Sequence, residues 1–374
     1  MESLSKSLRP DETIQKVLVS TTSRLTGEFS SEKILITHAW ENFSHSTSTI
    51  RKKESPVSRN AFIVAFRTEK TERKSGISIP DYSLIGEVVC SFLSVLYGKR
   101  FDNHGLTEGS GFYNTPDLSI YNSRCNYRLP FNSHEQRKCF GIPLNLTHCS
   151  VLEKIFIGTF PDKKLIPKLQ TACKFYLQAL QNAEHEPEIA YLHLIMAGEI
   201  LSSHFHYKNE EVMDELMLTN LQTIKNELKN GEKIANQISK RLLSIRRKFI
   251  KTLCFLVDND FFENYESDAN YARLKSEDFE QRIGAAYDLR SMYTHTGVPF
   301  GNWIRPDSQG EDVQIGKPVV SDKEFAKVLA RAPRFCGLER IIRYSILKLM
   351  SINGFSQLED IKNHPNRVTR NPDQ

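Results

Sequence analysis

The chain lacks the long apolar runs that crossing a membrane requires. Nowhere in its 374 residues do ~20 consecutive apolar residues occur. The first ten residues are polar, with no apolar stretch of signal-peptide type, which argues for a cytoplasmic rather than a secreted protein. Paired cysteine motifs are missing as well. The seven cysteines (Cys90, Cys125, Cys139, Cys149, Cys173, Cys254, Cys336) include no C-x-x-C, and an odd number cannot all pair within one chain. They read as reduced, mostly buried thiols. There is no Gly-rich phosphate loop of either common type, no G-x-S-x-G elbow and no H-E-x-x-H helix. Those absences remove the commonest nucleotide-dependent, serine-hydrolase and zinc-protease chemistries. Net charge is a modest +5, and between residues 161 and 350 basic and acidic residues nearly balance. Bulk electrostatics therefore gives no vote for a nucleic-acid partner, and only a local basic patch would provide one.

What is present is a globular composition, 39% hydrophobic and 25% charged, long enough for two domains that each bury a core. Residues 11–67 hold short β-branched and apolar runs, Val17 to Val19, Ile34 to Thr37 and Phe62 to Phe66, which read as strands, with a Ser/Thr-rich basic stretch at 43–59 between the last two. Apolar positions from Tyr82 to Tyr97 recur at helical spacing. From Gly98 to about Asp162 glycine, proline and asparagine become denser, and Asp102 to Gly105 reads as a turn. After Pro167 long helical periods follow, at 168–183, 188–206, 211–229, 232–257, 277–295 and 322–352. The expectation is an α+β chain: an irregular α/β or mostly β sensing or recruiting module at 1–162, an all-α bundle at 163–352, and a flexible polar tail at 353–374.

The segment that can carry chemistry is Ala285 to Gly297, an apolar-faced helix that ends in Arg290, Ser291, Met292, Tyr293, Thr294 and His295 and then meets the stop signals Gly297 and Pro299. A histidine, with an ordinary pKa near ~6.5, can move the proton of an RNA 2′-hydroxyl or of a leaving 5′-oxygen near neutrality. An arginine stays charged and can fork onto the non-bridging oxygens of a phosphorane-like transition state. Five residues turn through ~500° of helix, so the two side chains start ~140° apart. Unwinding of the last turn, together with arginine's length, is the expected way for both to reach one groove. Taken alone, the pair is equally a surface arginine beside a helix-terminal histidine favoured by the macrodipole.

The run Tyr287-Asp-Leu-Arg-Ser-Met-Tyr-Thr-His-Thr-Gly297 resembles the signature of the Apea-like branch of the HEPN superfamily, an aromatic-Asp-apolar-Arg-Ser block leading to a His-Gly ending. A helix of the type Tyr191 to Leu201 about 90 residues earlier and a final helix from Leu338 to Leu349 extend the likeness over about 165–350. The resemblance implies a helical bundle that forms a homodimer, with the Arg/His motifs meeting in a composite cleft, and that cuts RNA without metal or cofactor in antiviral defence or toxin systems. Carried over, Arg290 is the transition-state stabiliser and His295 the acid/base. Ser291, a substrate-binding candidate that would hydrogen-bond phosphate, stands where the wider superfamily often has Asn, Asp or His, and Thr296 intervenes before the glycine.

Around this block lie residues of supporting interest. Lys240, Arg241, Arg247, Lys248 and Lys251 fall within a ~120° arc of one helix, either an RNA path or an ordinary solvated face. Tyr293 is a further substrate-side candidate. Trp303, with Arg305, would stack a base beside the cleft or anchor its loop. Glu199 and Asp288 are candidates for orienting Arg290. His193, His204 and His206 read as core and helix-end residues rather than a metal set. The contrasting function is a non-catalytic bundle that binds a protein or nucleotide partner. The RNA target and any regulatory partner are not encoded in a readable motif.

Overall fold

The computed structural model describes residues 8–39, 60–70, 80–109, 112–113, 125–213, 215–242 and 245–363. The Ser/Thr-rich stretch at 43–59 lies outside the described residues, as do residues 364–374 of the expected tail. An antiparallel sheet near the N-terminus is followed by helices, an α+β architecture. The strands are β1 (Glu12–Thr21), β2 (Phe29–Ser30), β3 (Ile34–His38), β4 (Ala61–Glu69) and β5 (Phe101–Leu106), in spatial order β2-β3-β4-β1-β5. Register follows the two-residue period: Val17 faces Val64 and Val19 faces Phe62 across β1 and β4, and these four are fully buried. The segment from Asp102 to Gly105, expected as a turn, is part of β5. Pairing with β1 overrides its turn-forming composition, and Asp102 is held by Arg100 and Gln181.

Helix α1 (Ser83–Tyr97) packs on the sheet and stops at Gly98, whose φ of 63° is the left-handed conformation glycine adopts without strain. This helix end is buried, so its last carbonyls need donors. Arg343 supplies them from the far end of the chain. Its fully buried guanidinium donates to the carbonyls of Val95 at 2.8 Å and Leu96 at 2.7 Å, and also to Cys139 and Phe140. Beside it Arg137 forks onto Glu339 at 2.6 and 2.9 Å and donates to Glu266 at 2.9 Å, while the Tyr176 hydroxyl donates to the same Glu339. Buried charges persist only when paired in this way. One contiguous apolar core, from Val17 to Ile361, runs through sheet and helices alike.

The helical part comprises α2 (Leu165–Asn182), α3 (Pro187–Ser202), α4 (Glu215–Glu227), α5 (Gly231–Leu242), α6 (Ile245–Leu256), α7 (Phe279–Thr296), α8 (Lys323–Arg331), α9 (Phe335–Ile352) and α10 (Gln357–Asn363). The period expected as one helix at 322–352 is two. Pro333 forbids the helical conformation to the residue before it, and Ala332 is extended (φ −62°, ψ 141°). The period at 232–257 is described as α5 and α6, with 243–244 outside the described residues. Residues 353–363 do not form a tail: Phe355 stacks on Phe160 at 4.6 Å, and Leu358 is fully buried. Their apolar positions at 355, 358 and 361 were masked in sequence by the polar residues between them. Among the described residues no helix is long and apolar enough to cross a membrane. Five of the seven free cysteines are buried, Cys125 is half-buried and Cys254 is exposed.

Candidate active site

Helix α7 carries the Arg/His block, clamped between α3, α6 and α8. Glycines let these helices approach closely. A Cβ on Gly198 of α3 would sit 3.1 Å from Ile342 Cδ1 and closer still to the Phe249 ring of α6, and a Cβ on Gly284 of α7 would meet Arg246 Nη2 at 2.8 Å. Gly198 precedes Glu199, so the tight approach carries Glu199 to the α7 surface.

There three side chains converge. Arg290, about one third exposed, places Nη2 3.8 Å from Glu199 Oε1 and its guanidinium carbon 5.6 Å from the Tyr287 ring centre. The Tyr287 hydroxyl donates to Glu199, and burial, followed by that hydrogen bond, pushes the phenol up to about 12. Glu199 thus holds both an arginine and a neutral phenol, and Arg290 keeps part of its fork toward solvent. Asp288 faces elsewhere. It accepts two hydrogen bonds from Arg246 of α6, at 2.7 and 2.8 Å, and this bidentate pair fixes α6 against α7. Sequence reasoning singled out Glu199 as a partner of Arg290 but missed Tyr287 and Arg246. The three-residue spacing from Tyr287 to Arg290 was a usable signal, whereas nothing local in sequence links residue 246 to 288.

His295 is exposed on the last turn of the same helix. The expected unwinding of that turn does not occur. The hydroxyls of Thr294 and Thr296 donate back to the carbonyls of Arg290 at 3.0 Å and Met292 at 2.7 Å, and the amide of Gly297, at φ 68°, closes on the Tyr293 carbonyl at 2.9 Å. With the terminal Tyr293 carbonyl closed by the left-handed glycine, the helix holds through Thr296. Arg290 and His295 therefore remain ~140° apart around one helix, and one chain does not bring them into a single groove.

The other candidates divide. Ser291 is half-buried on the same turn as Arg290. Tyr293 packs edge-on against Phe300 at 5.4 Å, and Phe300 in turn against Tyr191, which makes it a wall of the core. Trp303 is packed onto the core from the short helix Gly301–Ile304, an anchor rather than a free ring, and Arg305 beside it is exposed. Of the basic stripe, Lys240 and Arg241 have side chains outside the described residues. Arg247 donates to the Val212 carbonyl at 3.3 Å, Lys248 is half-buried and Lys251 is exposed. Among the described residues no group of three His, Cys, Asp or Glu side chains is placed to hold a metal ion.

No family model matches the chain, and no curated protein or solved structure matches it either.

Proposed function

We propose that the chain is a metal-independent endoribonuclease in which Arg290 stabilises the phosphorane-like transition state and His295 transfers the proton. The observation that carries this reading is the preparation of Arg290: Glu199 and the Tyr287 ring hold a partly exposed guanidinium at the surface, five residues before an exposed histidine at a helix end capped by Gly297. The RNA 2′-hydroxyl would be the nucleophile, leaving a 2′,3′-cyclic phosphate and a 5′-hydroxyl. Because the two side chains diverge on one helix, the site in this reading is composite, Arg290 of one copy meeting His295 of a second in a homodimer. A cytoplasmic role in antiviral defence or in a toxin system belongs to the same reading.

A second reading is favoured by that same divergence: a non-catalytic bundle in which Arg290 serves the Glu199 and Tyr287 cluster. Purified protein incubated with mixed RNA in EDTA separates the two. The nuclease reading expects cleavage that falls by about 10²–10³ in Arg290→Ala and in His295→Ala. Cleavage that is absent, or equal in all three proteins with their folding intact, overturns it.

A further inference from the structure

Beyond the Arg/His block, α6 and the chain leaving α3 form a pocket of about 490 Å³ lined by Phe205, Tyr207, Phe255, Lys251, Glu211 and Glu280. That volume is within the ~300–1,000 Å³ range of small-ligand sites. Its walls are rings. Phe205 lies 6.2 Å from Tyr207 in near-parallel orientation and 5.5 Å edge-on from Phe255, and the Tyr207 hydroxyl, 2.8 Å from Thr252 Oγ1, pins its ring to α6. Phe255 is 66% exposed and continues the patch of Phe205 and Tyr207 to the surface, and a contiguous apolar patch rather than a single exposed ring marks a binding site. Lys251 precedes it by one helical turn and Arg247 by two, so cations and ring form one stripe.

The register between α6 and α7 orients this stripe. Arg246 meets Asp288, Ile250 approaches Gly284, and the pocket at Cys254 and Phe255 reaches Glu280, so the two helices run antiparallel. Glu280 and Arg290 are ten residues apart on α7, about 15 Å along its axis. Along the α7 axis the stripe therefore runs from the level of Asp288, two residues before Arg290, to the aromatic pocket.

We propose that this pocket receives an unpaired base of single-stranded RNA, with Lys251 on the adjoining phosphate, at a level about 15 Å along α7 from Arg290. The inference rests on the RNA reading above and gives it a substrate class, single-stranded rather than duplex RNA. Rings bind the flat face of any base, and of the charged side chains lining the pocket Glu211 and Glu280 repel phosphate while the exposed Lys251 is placed to receive it. A duplex, with its bases stacked inside, presents nothing for the rings to take.

The test uses the full chain and a fluorescent 2′-O-methyl RNA 12-mer, which lacks the attacking hydroxyl, so anisotropy reads binding without cleavage. Phe255→Ala is expected to weaken binding roughly tenfold and Phe255→Trp to hold it within about twofold. Lys251→Ala should lower the salt slope by about 0.7, the contribution of one phosphate on a single strand. The same sequence as a duplex should bind at least about tenfold more weakly than the single strand. Equal binding by wild type and Phe255→Ala overturns the proposal, as does light scattering that finds a wild-type dimer and a Phe255→Ala monomer, which would make the pocket a contact between copies. If the 12-mer binds through Phe255 but unmodified RNA is never cut, the pocket stands and the nuclease reading falls. If RNA is cut and Phe255→Ala changes neither binding nor cutting, the pocket falls alone.

Discussion

Replacing Gly198 by alanine tests whether close packing of α3 on α6 builds the site. The added Cβ would lie 3.1 Å from both Phe249 Cδ2 and Ile342 Cδ1, and nearer still to Phe249 Cε2. Carbon atoms rest at ~3.5–4.0 Å, so α3 must withdraw by at least about 0.4 Å, and by more at the third contact. Phe249 cannot swing aside cheaply, since it is fully buried with the Tyr287 ring 5.4 Å away. Overpacking of this kind costs about 1–3 kcal/mol, and a shortfall against a boxed-in ring belongs at the upper end. Alanine's better helix propensity returns about 1 kcal/mol. The expected net loss is about 2 kcal/mol, read by urea unfolding as midpoint times slope. The double variant Gly198→Ala with Phe249→Leu should be less destabilised than the sum of the singles by about 1–2 kcal/mol, because the smaller side chain frees the space. Cleavage by folded Gly198→Ala should fall as well, since Glu199 moves with its helix away from Arg290. A Gly198→Ala protein as stable as wild type would refute the packing argument, and additive singles would refute the role of Phe249.

Three further outcomes are expected. Glu339→Ala leaves the buried Arg137 fork and the Tyr176 hydroxyl without their shared acceptor, a loss of about 3–5 kcal/mol in urea or thermal unfolding, with Glu339→Gln losing less because one acceptor oxygen remains. Glu266 resists its burial: desolvation would raise its carboxyl, but Arg137 and Arg340 hold it below the usual value. The folded state therefore binds that proton less readily than the unfolded chain, and its stabilisation, complete above about pH 5, is lost as pH falls through the folded pKa. Urea midpoints between pH 6 and 3 should fall more steeply in wild type than in Glu266→Gln. Finally, Arg290→Ala mixed with His295→Ala should recover part of the cleavage that each lacks, since a heterodimer rebuilds one Arg290/His295 pair across the two copies. No recovery, with heterodimers demonstrated, would place the pair within one chain.

Much of the fold was legible because periodicity reports burial directly. The runs at Val17, Ile34 and Phe62 became β1, β3 and β4, and the stop at Gly297 was readable from its residue type. What was illegible depends on partners distant in sequence. Asp102 to Gly105 has turn composition, yet its strand character comes from β1, some eighty residues earlier. Arg343 looks like an ordinary polar position in an apolar stripe until the buried end of α1 calls for donors. The break at Pro333 is written in the sequence, but the apolar stripe continues on both sides of it and hides it. At the site, Arg290 with Glu199 was accessible as a charge pair, whereas Asp288 looked equally suited and is taken by Arg246, a choice made by helix register alone.

The capped end of α7 is what turns a short motif into a testable arrangement. A frayed terminus would let His295 drift toward Arg290 within one chain, and chemistry would then depend on a rare conformation. Here a left-handed Gly297 closes the Tyr293 carbonyl, and two threonine hydroxyls add second donors to the carbonyls of Arg290 and Met292, so bringing the histidine to the arginine in one chain means breaking several hydrogen bonds, each worth about 1 kcal/mol net. Meeting a second copy leaves those bonds intact and instead requires a two-fold contact over the exposed surface of α7. In the ribonuclease reading, rigidity of the helix end makes association the route to a complete site, and cleavage is then expected to depend on protein concentration wherever the dimer is weak. In the RNA reading, the direction of the stripe on α6 is set by the Arg246–Asp288 pair and the close approach at Gly284, so a strand seated at Phe255 would run along α7 from its N-terminal end.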